Sequence, residues 1–141
     1  MHVRTTRALT YSGAHAALEA GLAQAEKVGI AVNVAVVDGS GVLIAFARMD
    51  GAFAHSADIA QDKARTVVGF GGAPTDGLYA AIEGEPSVRD GISGREGMAV
   101  FAGGMPIFVG DDLVGAVGVS GGSASQDKEI AAAAAGAVKA S

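Results

Sequence analysis

The stretch VNVAVVDGSGVLIAFARMDGAFAHSADIAQDKART, Val32 to Thr66, holds the succession of patterns that decides the fold. Val32 to Val37 is a run of β-branched and small residues that can be buried on both faces. It ends at Asp38-Gly39-Ser40-Gly41, where Asp-Gly readily supplies the positive φ angles of a two-residue hairpin turn. The return strand, Val42 to Ala47, is equally apolar and closes abruptly at Arg48-Met49-Asp50-Gly51, a strand end on which a site can be built. A helix from about Ser56 to Gly69 follows, with a core-facing stripe at Ala57, Ala60, Ala64 and Val67. Lys63 shares a helix column with Ile59 and Val67, at the edge of that stripe and off the solvated back that carries Asp58, Asp62 and Arg65. Two readings of this lysine are open. Either its stem covers apolar surface with the ammonium in water, or Lys63, Arg48 and Asp50 converge where the strand end meets the helix start.

Towards the N-terminus, residues 1–9 read as an arm. Thr10 is an N-cap for a helix to about Val28, striped by Tyr11, Ala14, Leu18, Leu22 and Ala25 and stopped by Gly29. His15 lies beside that stripe. Towards the C-terminus, Gly69 to Pro74 breaks the chain and Thr75 caps a short helix to about Ile82. Residues 84–97 form a long polar loop with Glu85, Arg89, Asp90, Arg95 and Glu96. Three strands are expected next, at Met98–Phe101, Pro106–Val109 and Leu113–Val119, the last ending in Ser120-Gly121-Gly122. Ser123 with Gln126 forms a capping box for a final alanine-rich helix, narrow enough for close helix packing. Gln61-Asp62-Lys63 and Gln126-Asp127-Lys128 are a weak internal echo, each following a strand pair and a glycine.

The 141 residues suit one domain with one core. Half are hydrophobic, but only 5% are aromatic and 22 are glycine, so the core is built from small side chains. A mean hydropathy of +0.37 is high for a chain this short and implies apolar surface hidden between subunits of a homo-oligomer. A net charge of −5 without clustered Lys or Arg argues against a nucleic-acid partner. The absence of cysteine excludes disulfides, thiolate nucleophiles and thiolate metal sites. The apolar runs are too short to span a bilayer and no signal-peptide block opens the sequence, so a cytoplasmic protein with no membrane association is expected.

Gly118-Val119-Ser120-Gly121-Gly122 fits the G-x-S-x-G nucleophile elbow, but that chemistry needs an acid and then a histidine downstream. The histidines are His2, His15 and His55, all upstream, so the elbow reading fails in its usual form. The glycines instead suit close approach of a carboxylate or phosphate to backbone N–H groups at a helix N-terminus. His55 and Asp58 are one helical turn apart, but no third ligand stands at a diagnostic spacing, so no protein-ligated metal site is expected. Met49, Met98 and Met105 are soft donors by chemistry and gap-fillers by habit in a core of small residues.

Taken in order, Val36-Val37-Asp38, Ala45 to Ala52, Ile59 to Thr66, Gly103-Gly104-Met105-Pro106-Ile107 and Gly115 to Gly122 closely resemble the GlcG/HbpS-like family, over nearly everything from Thr10 onwards. The resemblance implies an α/β (α+β) fold, a profilin-like sandwich with a mostly antiparallel five-stranded sheet flanked by helices, in proteins that assemble into higher oligomers. Members of such a family include haem-binding and haem-degrading proteins, a domain attached to corrinoid adenosyltransferases, and proteins encoded beside catabolic genes. The family's Arg-x-Asp-Gly strand end matches Arg48, Asp50 and Gly51, its helix lysine Lys63, its Gly-Gly turn Gly103 and Gly104, and its last glycine corner Ser120, Gly121 and Gly122. No axial haem ligand carries over, and His15 and His55 are candidates by chemistry alone.

Three functions are therefore expected in competition. The first is a small-molecule-binding oligomer that takes haem or a related tetrapyrrole, its anionic groups met by Arg48, Lys63 and the corner Ser120-Gly121-Gly122. The second is a catabolic enzyme acting on a small carboxylate or carbonyl compound, with Lys63 or Asp50 as general acid or base and Arg48 as anion clamp. The third is a ligand-free structural oligomer in which an Arg48–Asp50 salt bridge closes the hairpin.

Overall fold

A computed structural model describes residues 2–139. The elements run α1 (Tyr11–Val28), β1 (Asn33–Asp38), β2 (Leu43–Arg48), α2 (His55–Gly69), α3 (Thr75–Ile82), α4 (Pro86–Ser93), β3 (Gly104–Val109), β4 (Asp112–Ser120) and α5 (Ala124–Gly136). The strands form one antiparallel sheet in the order β2-β1-β4-β3, so the sheet has four strands and not the expected five. The missing strand is Met98–Phe101. Its polar backbone is claimed by side chains, the Ala99 N–H donating to Thr66 Oγ1 (3.1 Å) and the Phe101 carbonyl accepting from Thr75 Oγ1 (2.6 Å), which holds the segment against the helices and out of a ladder. The polar stretch 84–97 is not one long loop either, since Pro86 starts α4 at a position where its missing N–H costs nothing.

Period-two alternation along β1 and β4 sorts the sheet into two faces. Val34, Val36, Val117 and Val119 face α1 and α5, joining Ala14, Leu18, Ile130 and Ala134 in the main core. Val37 and Ala116 face α2, against Ala64 and Val67. Alanine and glycine let the layers approach closely. A Cβ at Gly21 would lie 3.2 Å from Ala134 Cβ, which brings α1 and α5 side by side, and a Cβ at Gly118 would collide with the Ala60 carbonyl of α2. The small-residue composition is thus a packing device.

Local signals read from the sequence account for the ends of these elements. Thr10 Oγ1 accepts from the Gly13 N–H (3.0 Å) at the start of α1, Gly29 closes it in the left-handed region (φ +85°), and the Ser123/Gln126 capping box is complete. Two turn assignments change. In the β1–β2 hairpin Asp38 Oδ1 accepts from the Ser40 and Val42 N–H groups, and the positive φ falls at Gly41 (+81°) in a longer, bulged turn and not at Asp-Gly. Thr75 does not cap α3, because its hydroxyl is spent on Phe101 and on the Gly104 N–H (3.0 Å).

Candidate functional site

Lys63 is wholly buried, which removes the reading of a stem with its ammonium in water. Its Nζ donates to the Val119 carbonyl (2.8 Å) and to Asp127 Oδ2 (3.2 Å), and it sits 4.6 Å from the centre of the Phe101 ring. Gly103 makes room for it: at φ +126°, a Cβ there would stand 2.7 Å from Nζ and 2.5 Å from the Val119 oxygen. Asp127 is itself fixed, its Oδ1 accepting from the Gly122 N–H (2.9 Å). Burial lowers the lysine's proton affinity, while the Asp127 charge and hydrogen bond pull it back up. One buried ion pair thus ties α2, the end of β4, α5 and the Gly103 turn together.

That position separates Lys63 from its expected companions. Arg48 and Asp50 are exposed and border a different cavity of about 400 Å³, walled by Leu22, Glu26, Ala47 and Met49. Among the described residues no ion pair joins Arg48 to Asp50 or either of them to Lys63. The convergence of Lys63, Arg48 and Asp50 does not form, because the lysine stem runs under the Gly103 turn to α5 and away from the hairpin.

The strand ends hold a residue that the sequence reading passed over. Asn33 pairs across β1 with Arg48 on one side and Ser120 on the other, so the three stand in a row on the α2 face. Asn33 is fully buried, its Nδ2 donates to the Phe53 carbonyl (3.1 Å), and its Oδ1 has no partner among the described residues. Ser120 is buried beside it. At Gly121-Gly122 the expected anion cradle is already used from within the chain: the Gly122 N–H is taken by Asp127 and the Ser123 N–H by Gln126 Oε1 (2.9 Å).

The histidines occupy other surfaces. His15 is half-buried on α1 with its ring 4.9 Å from that of Tyr11, and His55 is the exposed first residue of α2. Among the described residues no cluster of three or more His, Asp or Glu could hold a metal ion.

The apolar opening lies elsewhere, in a groove of about 490 Å³ between α3, the 100–102 segment and the start of α5. Tyr79, Val100, Phe101, Ala102 and Ala124 line it, with Asp76 at its border. Phe101 and Tyr79 are 51% and 38% exposed and stand together on this groove. The groove is built on the buried pair: Thr75 holds the Phe101 carbonyl, and the Lys63 ammonium lies against the Phe101 ring. At its border Lys128 Nζ pairs with Asp76 Oδ2 (2.6 Å), a hydrogen bond that holds that carboxyl below the usual range. In size and lining it suits a small apolar ligand. The sequence signal for it was an aromatic in the short α3 and another in a segment mistaken for a strand.

Among known proteins the chain is similar to protein GlcG of Escherichia coli (strain K12), 34% identical over 118 residues, 84% of this chain and 85% of that one. Among solved structures, that of Klebsiella pneumoniae protein ORFY superposes with a TM-score of 0.90 at 28% identity, covering 98% of this chain and 95% of that one. The PduOC domain, crystallised as a haem complex, superposes with a TM-score of 0.85 at 30% identity over 94% of this chain and 96% of that one. Residues 9–136 match the HbpS-like family of haem-degrading proteins from end to end of the fold, and the chain belongs to that family.

Proposed function

We propose that this protein binds haem or a closely related tetrapyrrole. The observation that carries the reading is the whole-length likeness, at 30% identity, to a domain solved with haem bound. The groove beside Phe101 supports it independently. Its volume is in the range of small-molecule sites, its walls are mainly apolar, and Lys128, paired with Asp76 at the border, is the nearest cation that a propionate could recruit. Bound haem would supply an iron centre, and the chain's own residues would supply an apolar wall with Lys128 at its border. The expected roles of Arg48, Lys63 and the Gly121-Gly122 corner in meeting the anionic groups pass in this proposal to Lys128.

The enzyme reading with Lys63 as acid or base lacks geometric support, since the ammonium presents no surface to a substrate and is committed to Asp127 and Val119. A homo-oligomer remains part of the proposal, because Phe53, Phe70, Phe108 and Val42 are exposed at 70%, 42%, 47% and 61% in the single chain.

Titration of the apo-protein with hemin, read in the Soret region with albumin as competitor, tests the reading. A saturable shift at a fixed haem-to-subunit ratio is expected. Binding that never saturates, or that albumin removes entirely at equal site concentrations, overturns it.

A further inference from the structure

The chain carries four Asp-Gly pairs, Asp38-Gly39, Asp50-Gly51, Asp76-Gly77 and Asp90-Gly91. Such a pair is chemically labile, because glycine puts no side chain in the way when its backbone nitrogen meets the preceding carboxyl group. Whether it reacts depends on how firmly the fold holds the two groups. Three of the pairs are restrained. Asp38 Oδ1 accepts from the Ser40 N–H (2.8 Å) and the Val42 N–H (3.1 Å) within the hairpin turn. Asp76 lies in α3 with its carboxylate on Lys128 Nζ (2.6 Å), and Asp90 lies in α4 with its carboxylate on Arg89 Nε (3.0 Å).

Asp50-Gly51 has none of these restraints. It stands in the turn between β2 and α2, outside every described helix and strand, and both residues are exposed. Among the described residues the Asp50 carboxylate has no ion pair and the Gly51 N–H reaches no backbone acceptor. The turn is closed around them, with the Ala52 N–H on the Met49 carbonyl (3.0 Å). Gly51 sits at φ +84°, and a Cβ there would meet no atom within 4 Å, so the surroundings leave room for a ring to close.

We propose that Asp50-Gly51 is a site of spontaneous aspartate isomerisation in the folded protein. The Gly51 backbone nitrogen attacks the Asp50 side-chain carboxyl carbon. An N–C bond forms, the carboxyl C–OH bond breaks, and the hydroxyl leaves as water with the nitrogen's proton. Water then opens the succinimide ring. Opening at the former backbone carbonyl sends the chain through the side-chain carbon as iso-aspartate, and opening at the other carbonyl restores aspartate. No oxidant or reductant is needed, and water is both the leaving group and the second reactant. The product lengthens the backbone by one carbon and moves a carboxylate on the border of the cavity that Asp50 shares with Arg48, Met49 and Glu26, so it remodels the hairpin end.

The test incubates the intact wild type and Asp50→Glu at mildly acidic pH below their melting temperatures, both native and unfolded in guanidinium chloride. Iso-aspartate is mapped by peptide mass spectrometry with electron-transfer fragmentation and by resistance to a protease that cleaves before aspartate. Glutamate keeps the charge but must close a ring one carbon larger, which is far slower, and a thermal melt checks that the variant is folded. The expected result is iso-aspartate at position 50 of the native wild type while 38, 76 and 90 stay aspartate, conversion of all four in guanidinium, and no product at position 50 of Asp50→Glu. Native conversion at 38, 76 or 90 as fast as at 50 overturns the proposal. So does a position 50 that stays aspartate in the native protein, whatever the unfolded chain does.

Discussion

Lys63 shows how little a helical wheel says about a single long side chain. The sequence places it at the edge of a stripe, and the structure puts its ammonium in the interior because Gly103, forty residues away, lacks a Cβ. A charge in such a place is tolerated when paired and costly when its partner is removed. Lys63→Met should therefore destabilise the protein by about 3–5 kcal/mol by leaving Asp127 buried without its cation. Chemical denaturation measures this, and a loss below about 1 kcal/mol would mean that the pair behaves as a surface one. The same two proteins give a pH test. Burial lowers the folded-state proton affinity of Lys63 below its ordinary value of 10.5, so the unfolded chain holds that proton more firmly. Stability contributed by this group thus rises with pH between the lowered value and 10.5. Across that alkaline window the wild type should gain stability relative to Lys63→Met, and a relative loss would reverse the assigned direction.

At the scale of elements, the contact of α2 with β4 depends on a missing side chain. Gly118 allows the Ala60 carbonyl to rest on the strand, so Gly118→Ala should overpack this layer and cost about 1–3 kcal/mol or more. A thermal melt unchanged from wild type would show that α2 can shift to make room. The element ends were legible in the sequence because caps are local chemistry: Thr10, Gly29 and the Ser123/Gln126 box act within one turn of themselves. The Met98–Phe101 segment was not, because β-propensity cannot register that Thr66 and Thr75 claim its backbone from other helices. The Gln-Asp-Lys echo was visible, but its use was not. The lysine of the first copy pairs with the aspartate of the second, and Lys128 pairs with Asp76 on α3.

For the whole molecule, composition and family pattern anticipated the mixed α/β architecture, the small-residue core and the family. The site was harder to read. Arg48, Asp50, Lys63 and the glycine corner stood out because they are polar or flexible at element ends, and the structure gives them separate surroundings. The groove was hidden because it is assembled from α3, an irregular segment and the first turn of α5, which only the tertiary fold brings together. Amide hydrogen exchange on the apo-protein and on the protein loaded with hemin distinguishes these surfaces. Haem in the groove should slow exchange in residues 76–82, 100–103 and 124–127 while leaving the hairpin end at 46–51 unchanged. Slowed exchange confined to 46–51 and the facing part of α1, or no change anywhere under saturating hemin, would contradict it.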